Sequence, residues 1–225
     1  MPVPPTAAVA DAAVRLGVPV AVAPRTLVPV LPGGVFAGPA VPVTHVGSVD
    51  VFLEAIDDAP PGGVLVVDNG GRQDEACVGD LVVLEAASAG LSAVVVWGRH
   101  RDTAELRRIG LPVHSLGAHP FGPRRVPPAG PAMRVAFLDG AAVTADHLLV
   151  GDDDGVLVLP AGEQDPLFAL ALQIQETESR QARRMADGDS LRAQLDFADY
   201  RRKQAADPSM TLRQHLAERG GAIET

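Results

Sequence analysis

Apolar and polar positions recur along this chain in two periods, and the changes from one to the other outline its elements. Apolar residues at helical spacing from Ala7 to Leu16 predict a first helix, with Thr6 as its cap. Val18 to Pro32 is rich in Pro and Val and reads as extended chain with turns. Gly33 to Val46 predicts a strand broken by Gly38-Pro39, a dipeptide that suits an edge or a bulge because proline lacks the N–H of a central strand. Val49, Phe52, Leu53 and Ile56 then fall at i, i+3, i+4 and i+7, a helix capped by Ser48 and ended by Pro60-Pro61-Gly62-Gly63. Val64 to Val67 is a buried strand closed by Asp68-Asn69-Gly70-Gly71. Strand, helix and strand in succession predict parallel pairing with a right-handed crossover.

The next unit runs from Gly79 to Asp102. Asp80 opens a helix carrying Leu81, Val82, Leu84, Ala86 and Ala87, and Gly90 stops it. Ser92 to Trp97, dominated by β-branched residues, reads as a strand buried on both faces, and Gly98 to Asp102 leaves it as a loop. Asp102-Thr103-Ala104-Glu105 has the form of a capping box for a helix through Leu106 and Ile109. Pro112 to Leu116 is a further strand, followed by a Pro- and Gly-rich loop from Gly117 to Pro131 that carries His119, Arg124 and Arg125 and could hold an anionic substrate tail. Met133 to Val143 turns at Asp139-Gly140, and Leu148 to Gly151 pairs with Val156 to Leu159 as a hairpin around Asp152-Asp153-Asp154-Gly155. These three aspartates lack the remaining ligands of a calcium loop, so turn chemistry is expected.

Beyond Gly162 the composition shifts to Gln, Glu, Arg, Ala and Leu, with Leu167, Leu170, Ile174, Leu191, Leu195 and Phe197 at helical spacing. The expected organisation is an α/β unit over residues 1–162 and a helical extension over 163–225 that packs on the core or on a neighbouring subunit. Thr211 caps a last helix whose C-terminal cap falls at Gly220.

Charge and composition narrow the function. A net charge of -9 and a pI near 5.0 argue against non-specific nucleic-acid binding, which demands clustered Lys and Arg. Cys77 is the only cysteine, so neither an intramolecular disulfide nor a cysteine-held zinc is expected. The first residues lack the pattern of a signal peptide and no apolar run is long enough to cross a bilayer, so a cytoplasmic protein is expected. The Val-Val-Asp-Asn-Gly-Gly turn at 66–71 lacks both the third glycine of a dinucleotide loop and the Lys-Ser/Thr of a P-loop.

Candidate chemistry gathers where a helix start and a strand end meet on one rim of an α/β sheet, the usual place for a ligand. Asp80, Arg101 and Asp102 converge there. Pattern alone leaves a second reading open, in which Asp102 and Glu105 only cap a helix and Asp80 only answers its dipole.

The arrangement Gly79-Asp80-Leu81-Val82 followed by Arg101-Asp102 resembles the signature of the RraA-like family, which includes class II 4-hydroxy-4-methyl-2-oxoglutarate aldolases and regulators of ribonuclease activity. LPGGVFAGPAVPV, GGVLVVDNGG, LPVHSLG, VGDDDGVLVLP and TLRQHLAERGGAIE have parallels there too. Gly98-Arg99-His100 and the Ala118-His119-Pro120-Phe121 loop depart from the family pattern, which bears on substrate choice. The resemblance implies a layered α/β/β sandwich of the swivelling-domain-like type with a helical C-terminal tail. It implies a pyruvate aldolase that also decarboxylates oxaloacetate, dependent on Mg²⁺ or Mn²⁺. Asp102 would bind the metal directly, Asp80 through water, and Glu176 or Glu178 of an adjacent subunit through another water. Arg101 would meet the enolate oxygen, and Gly79, Asp80, Leu81 and Val82 would hold the pyruvate carboxylate at the helix start. A trimer or hexamer acting on a small 2-oxo acid is implied, with no nucleic acid or membrane partner. Lys203, the single lysine, lies in the helical tail, so a metal is a better electron sink than a Schiff base. Two alternatives stay open: a non-catalytic regulator of an RNA-degrading endonuclease, and a methyltransferase, which the absent glycine-rich loop disfavours.

Overall fold

The structure, a computed structural model, describes residues 2–124 and 133–218. Helix α1 (Thr6–Leu16) leads through the short strands β1 (Ala21–Val22) and β2 (Val28–Pro29) to the long strand β3 (Phe36–Thr44). Helix α2 (Asp50–Asp57), β4 (Val64–Asp68), β5 (Ala76–Val78), α3 (Asp80–Ser88) and β6 (Ala93–Trp97) follow, then β7 (Arg99–His100), α4 (Thr103–Ile109) and β8 (Val113–Ser115). The hairpins β9 (Ala136–Leu138) with β10 (Ala141–Val143) and β11 (His147–Asp152) with β12 (Gly155–Pro160) precede the helices α5 (Gln164–Ala186), α6 (Leu191–Gln194), α7 (Phe197–Ala206) and α8 (Leu212–Glu218).

The main sheet runs β1-β12-β11-β3-β4-β6-β8-β2, with β3, β4, β6 and β8 mutually parallel and the rest antiparallel. Successive residues of a strand face opposite ways, and both faces of β4 and β6 are apolar. Leu65, Val67, Val94 and Val96 pack under α2, α3 and α4, burying Phe52, Val83 and Leu106. Val64, Val66, Ala93 and Val95 face the other half of the same sheet, where Leu149, Val156 and Val158 meet them. On the outer face of β11 and β12, Leu148, Val150, Leu157 and Leu159 pack against Ala8, Val9 and Ala12 of α1 and Leu167, Phe168, Ala171 and Ile174 of α5. The result is the expected α/β/β layering, with a further layer of α1 and α5 outside it.

The sheet folds over at β3. Its first residues, Phe36 to Pro39, pair antiparallel with β11, and Ala40 to Thr44 pair parallel with β4. Gly38-Pro39 therefore sits neither at an edge nor at a break but where a central strand changes partners. Gly38 is required for the close approach, since a Cβ there would lie 1.9 Å from the Gly62 carbonyl oxygen.

Helix starts depart from the expected caps. Pro5 is the N-cap of α1, and both Thr6 N–H and Thr6 Oγ1 donate to the Asp152 carboxylate, at 2.8 Å and 2.7 Å. The cap is thus supplied across the fold by the β11–β12 turn. Asp153 accepts from Gly33 N–H and Asp152 also accepts from Asp154 N–H, so the acidic turn is structural. Val49, not Ser48, is the N-cap of α2 and makes no side-chain bond. Thr211 does cap α8, accepting from Gln214 N–H at 3.2 Å, and Gln214 Oε1 accepts in return from Thr211 N–H. Arg125 and Gly220 lie outside the described residues.

Candidate active site

Two short elements that the hydrophobic pattern does not reveal bring the charged residues together. β5 pairs with β7 in parallel, and Arg101 N–H donates to the Val78 carbonyl at 3.0 Å. This lays Gly79-Asp80, at the start of α3, beside Arg101-Asp102, at the start of α4. Arg101 Nε stands 3.3 Å from Asp102 Oδ2, with the two side chains 49 % and 35 % exposed, so both groups remain open to a ligand. Asp80 N–H approaches the same Oδ2 at 3.5 Å. Gly79 has ordinary extended backbone, but a Cβ on it would come within 2.6 Å of Asp102 Oδ2 and 3.1 Å of Arg101 Nε. The glycine is there for room.

The geometry of Asp102 separates the two readings of the sequence. Asp102 is the N-cap of α4, yet its side chain makes no capping bond and its backbone is left-handed, with φ 60°. A non-glycine residue in that region is uncommon and costs energy that surrounding structure must offset. The twist turns the carboxylate from its own helix towards Arg101. Glu105 pairs with Arg108 instead of completing a capping box.

At the start of α3, Leu81 N–H donates to Asp80 Oδ1 at 2.8 Å. Glu176 and Glu178 lie exposed on α5, in the outer layer shared with α1, where Glu176 pairs with Arg183 at 3.1 Å. A single chain does not bring them to Arg101 and Asp102.

Arg101 separates two clefts. One, of about 480 Å³, is bordered by Gly79, Asp80, Leu81, Val82 and Arg101, with the apolar side chains of Val49, Leu53 and Leu84 beyond. The other, of about 350 Å³, is formed by Arg101, Asp102, Thr103, Ala118, His119 and Pro120. His119 thus borders the site, whereas Arg124 stacks over Phe121, 5.1 Å from its ring centre. Arg99 is held by Gln73 and the Ala118 carbonyl.

Sequence reasoning missed the buried polar side chains behind the site. His100 Nδ1 lies 2.7 Å from Ser115 Oγ and Nε2 lies 2.9 Å from Thr103 Oγ1. Burial pushes the His100 pKa down, helped by the charges of Arg107 and Arg99. His45 Nδ1 bonds Asn69 Oδ1 at 2.8 Å and its ring stacks on Phe52, and burial depresses its pKa too. His45 falls inside the strand expected from Gly33 to Val46 and His100 inside the Gly98-Arg99-His100 departure, but a single His carries no periodic signal, so the burial and partners of these two rings were not legible beforehand. The Cys77 thiol is pushed up to about 12 by burial and has no nucleophilic character at neutral pH. Lys203 is held in its charged form by Glu218 at 2.7 Å, the opposite of what a Schiff-base lysine needs.

Asp102 also shows how well a divalent ion suits the site. Its carboxylate is partly exposed and uncommitted to a cap, and among the described residues no three Asp, Glu, His or Cys side chains gather as a metal cluster. One carboxylate with open space around it fits Mg²⁺ or Mn²⁺, hard ions that keep much of their water, and does not fit a closed zinc site.

Comparison with known proteins gives the chain a family. The RraA-like (Aldolase/RraA) family model matches residues 6–158, which include the whole of the Gly79–Asp102 unit. The chain belongs to the RraA-like family. Over 123 residues it is 34% identical to an Alkalilimnicola ehrlichii protein provisionally named a 4-hydroxy-4-methyl-2-oxoglutarate aldolase, covering 55% of this chain and 76% of that one. The RNA-processing inhibitor RraA of Thermus thermophilus shares the fold with a TM-score of 0.59 and 26% identity, over 68% of this chain and 92% of its own. An uncharacterised Pseudomonas syringae protein matches the fold at TM-score 0.72 and 24% identity, over 84% of this chain and 90% of that one. RraA-like proteins thus carry both aldolase and regulator names.

Proposed function

We propose that this RraA-like protein is a divalent-metal-dependent carbon–carbon lyase that cleaves 4-hydroxy-2-oxo acids, of the 4-hydroxy-4-methyl-2-oxoglutarate type, to pyruvate. The same site would decarboxylate oxaloacetate. The observation that carries this reading is the Asp102 side chain, turned from its helix cap by a left-handed backbone to face Arg101.

In both reactions a bond to C3 breaks and its electron pair becomes the enolate of pyruvate. The 4-hydroxyl gives up its proton as C3–C4 breaks in the aldol cleavage, carbon dioxide leaves in the decarboxylation, and C3 takes up a proton in each. Arg101 donates to the C2 oxygen as negative charge grows on it, a contact stronger in the transition state than in the substrate. The N–H groups of Leu81 and Val82, at the positive end of α3, hold the pyruvate carboxylate, and Asp80 Oδ1 releases the Leu81 N–H when it binds. Asp80 moves protons through water. Asp102, with Asp80 and Glu176 or Glu178 of a neighbouring copy acting through water, would hold Mg²⁺ or Mn²⁺, whose positive charge would withdraw electrons towards the C2 oxygen.

A trimer or hexamer belongs to the same proposal. Val49, Leu53, Leu81 and Leu84 are 53%, 49%, 76% and 50% exposed around the larger cleft. A neighbouring copy that covers this apolar strip also keeps bulk water from the reacting groups. The acidic chain acts on a small 2-oxo acid in the cytoplasm and needs no nucleic acid or membrane; among the described residues no helix is long and apolar enough to cross a membrane. The second reading, a protein-binding regulator of an RNA-degrading endonuclease, finds support in the likeness to the Thermus inhibitor. It gives no role to the turned Asp102.

The deciding assay follows pyruvate release from oxaloacetate and a panel of 4-hydroxy-2-oxo acids with Mg²⁺ or Mn²⁺, and again after EDTA. Release that EDTA stops and excess metal restores, and that Asp102→Ala abolishes in a folded protein, is the expected result. Full activity after exhaustive chelation would remove the metal from the proposal. No release from any substrate would transfer the reading to the regulator.

A further inference from the structure

The hydrogen bonds behind Asp102 have a direction, set by which atoms carry protons. Gly117 N–H can only donate, and it donates to Ser115 Oγ at 3.1 Å. Ser115 is fully buried, and among the described residues its hydroxyl has one remaining partner, His100 Nδ1 at 2.7 Å. If His100 carried its proton on Nδ1, Ser115 Oγ would accept twice and its own buried proton would have no acceptor, a costly arrangement. The satisfied arrangement has Ser115 donating to Nδ1 and His100 Nε2–H donating to Thr103 Oγ1, 2.9 Å away. The Thr103 hydroxyl then accepts from behind and keeps its own proton free to donate. Thr103 is half-buried and borders the smaller cleft with Arg101, Asp102 and His119. His119 borders the same cleft, with its Nδ1 3.2 Å from the Phe121 N–H and 3.4 Å from the Phe121 carbonyl.

We propose that Thr103 is a substrate-contacting, specificity-determining residue whose hydroxyl donates to an oxygen at the end of the substrate remote from its 2-oxo acid group. His100, through the Gly117–Ser115–His100 chain, is the positioning residue that fixes this direction. The proposal rests on the lyase reading for the placement of the pyruvate end at α3. With that end in the larger cleft, a longer chain passes Arg101, which borders both clefts, and enters the smaller one. A cleft offering a guanidinium, a hydroxyl donor and an imidazole selects a remote carboxylate or hydroxyl over an alkyl group. Pyruvate itself ends before Thr103.

The test compares Thr103→Val, which keeps the shape and loses the donor, with Thr103→Ser, which keeps the donor. Thr103→Val should raise KM for oxaloacetate about tenfold, the worth of one net hydrogen bond, with little change in kcat. Thr103→Ser should stay near the parent, and the inhibition constant of pyruvate should be the same in all three. His100→Asn should raise KM in the same substrate-selective way while circular dichroism remains native. Because turnover itself is part of the lyase reading, the dissociation constants of 2-oxoglutarate and pyruvate are measured in parallel by calorimetry with Mg²⁺ present. If the parent binds both ligands but releases pyruvate from neither oxaloacetate nor any 4-hydroxy-2-oxo acid, the lyase reading fails, and selective loss of 2-oxoglutarate in Thr103→Val still supports the role of Thr103. An unchanged Thr103→Val, or one that weakens pyruvate equally, overturns the proposal. A parent that binds neither ligand overturns it together with the lyase reading.

Discussion

At the scale of single residues, the site depends on direction and room more than on residue type. Arg101→Lys keeps the charge and loses the planar fork. If Arg101 meets charge that develops only at the enolate, this variant should lose on the order of a hundredfold in kcat for oxaloacetate with a smaller rise in KM, as when one oxyanion donor is removed. Wild-type decarboxylation by Arg101→Lys would take Arg101 out of the mechanism. Gly79→Ala probes room alone. Its backbone angles suit any residue, but the added methyl lies 2.6 Å from Asp102 Oδ2 and must displace it. Steady-state kinetics should show a loss of roughly a hundredfold, the scale expected of a 1 Å misplacement, with a native circular dichroism spectrum. Unaltered kinetics would mean that Asp102 has slack. Arg101 and Asp102 were legible as a pair in the sequence, but whether Asp102 caps α4 or faces Arg101 was not, because a capping box and a ligand pair use the same letters and differ only in φ and ψ.

Among elements, the long helical periods and buried strands were legible because each carries many apolar residues in register. Short elements were not. β5 and β7 have three and two residues, too few for a period, yet their pairing places the two halves of the site side by side. Caps were legible only where the partner is local, as Thr211 and Gln214 are, and not where Asp152 reaches α1 across 146 residues of sequence. Replacing Asp152 with Ala should therefore destabilise the protein by about 1–2 kcal/mol in urea unfolding, the usual cost of a lost cap. An unchanged midpoint and slope would show that solvent satisfies the start of α1 equally well.

For the whole molecule, burial of neutral histidines links stability to pH. His45 and His114 both have pKa values depressed below 6.5, chiefly by burial. The unfolded chain then binds more protons between the two pKa values, so their contribution is complete above pH 6.5 and is lost as pH falls through that window. Thermal unfolding followed from pH 7.5 down to pH 5 should show a falling Tm, and replacing His114 with Gln should flatten that fall. A Tm independent of pH across this range would rule out linkage through these histidines. Light scattering at micromolar concentration should report a trimer or hexamer, and a monomer would remove the neighbouring copy from the proposed site.

The chain's own letters determined the α/β class, the parallel pairing of strands joined by a helix, the helical extension and the Gly79-Asp80 and Arg101-Asp102 motifs, because each rests on periodicity or on residues adjacent in sequence. Tertiary structure alone decided that the sheet folds over at Gly38-Pro39, that α5 shares a layer with α1, and that Asp102 faces Arg101. It also decided that Thr103, backed by the His100 and Ser115 side chains, opens onto the cleft. Each of these depends on which distant segment comes into contact, and contact between distant segments is fixed by packing and burial of the assembled layers, not by any local pattern.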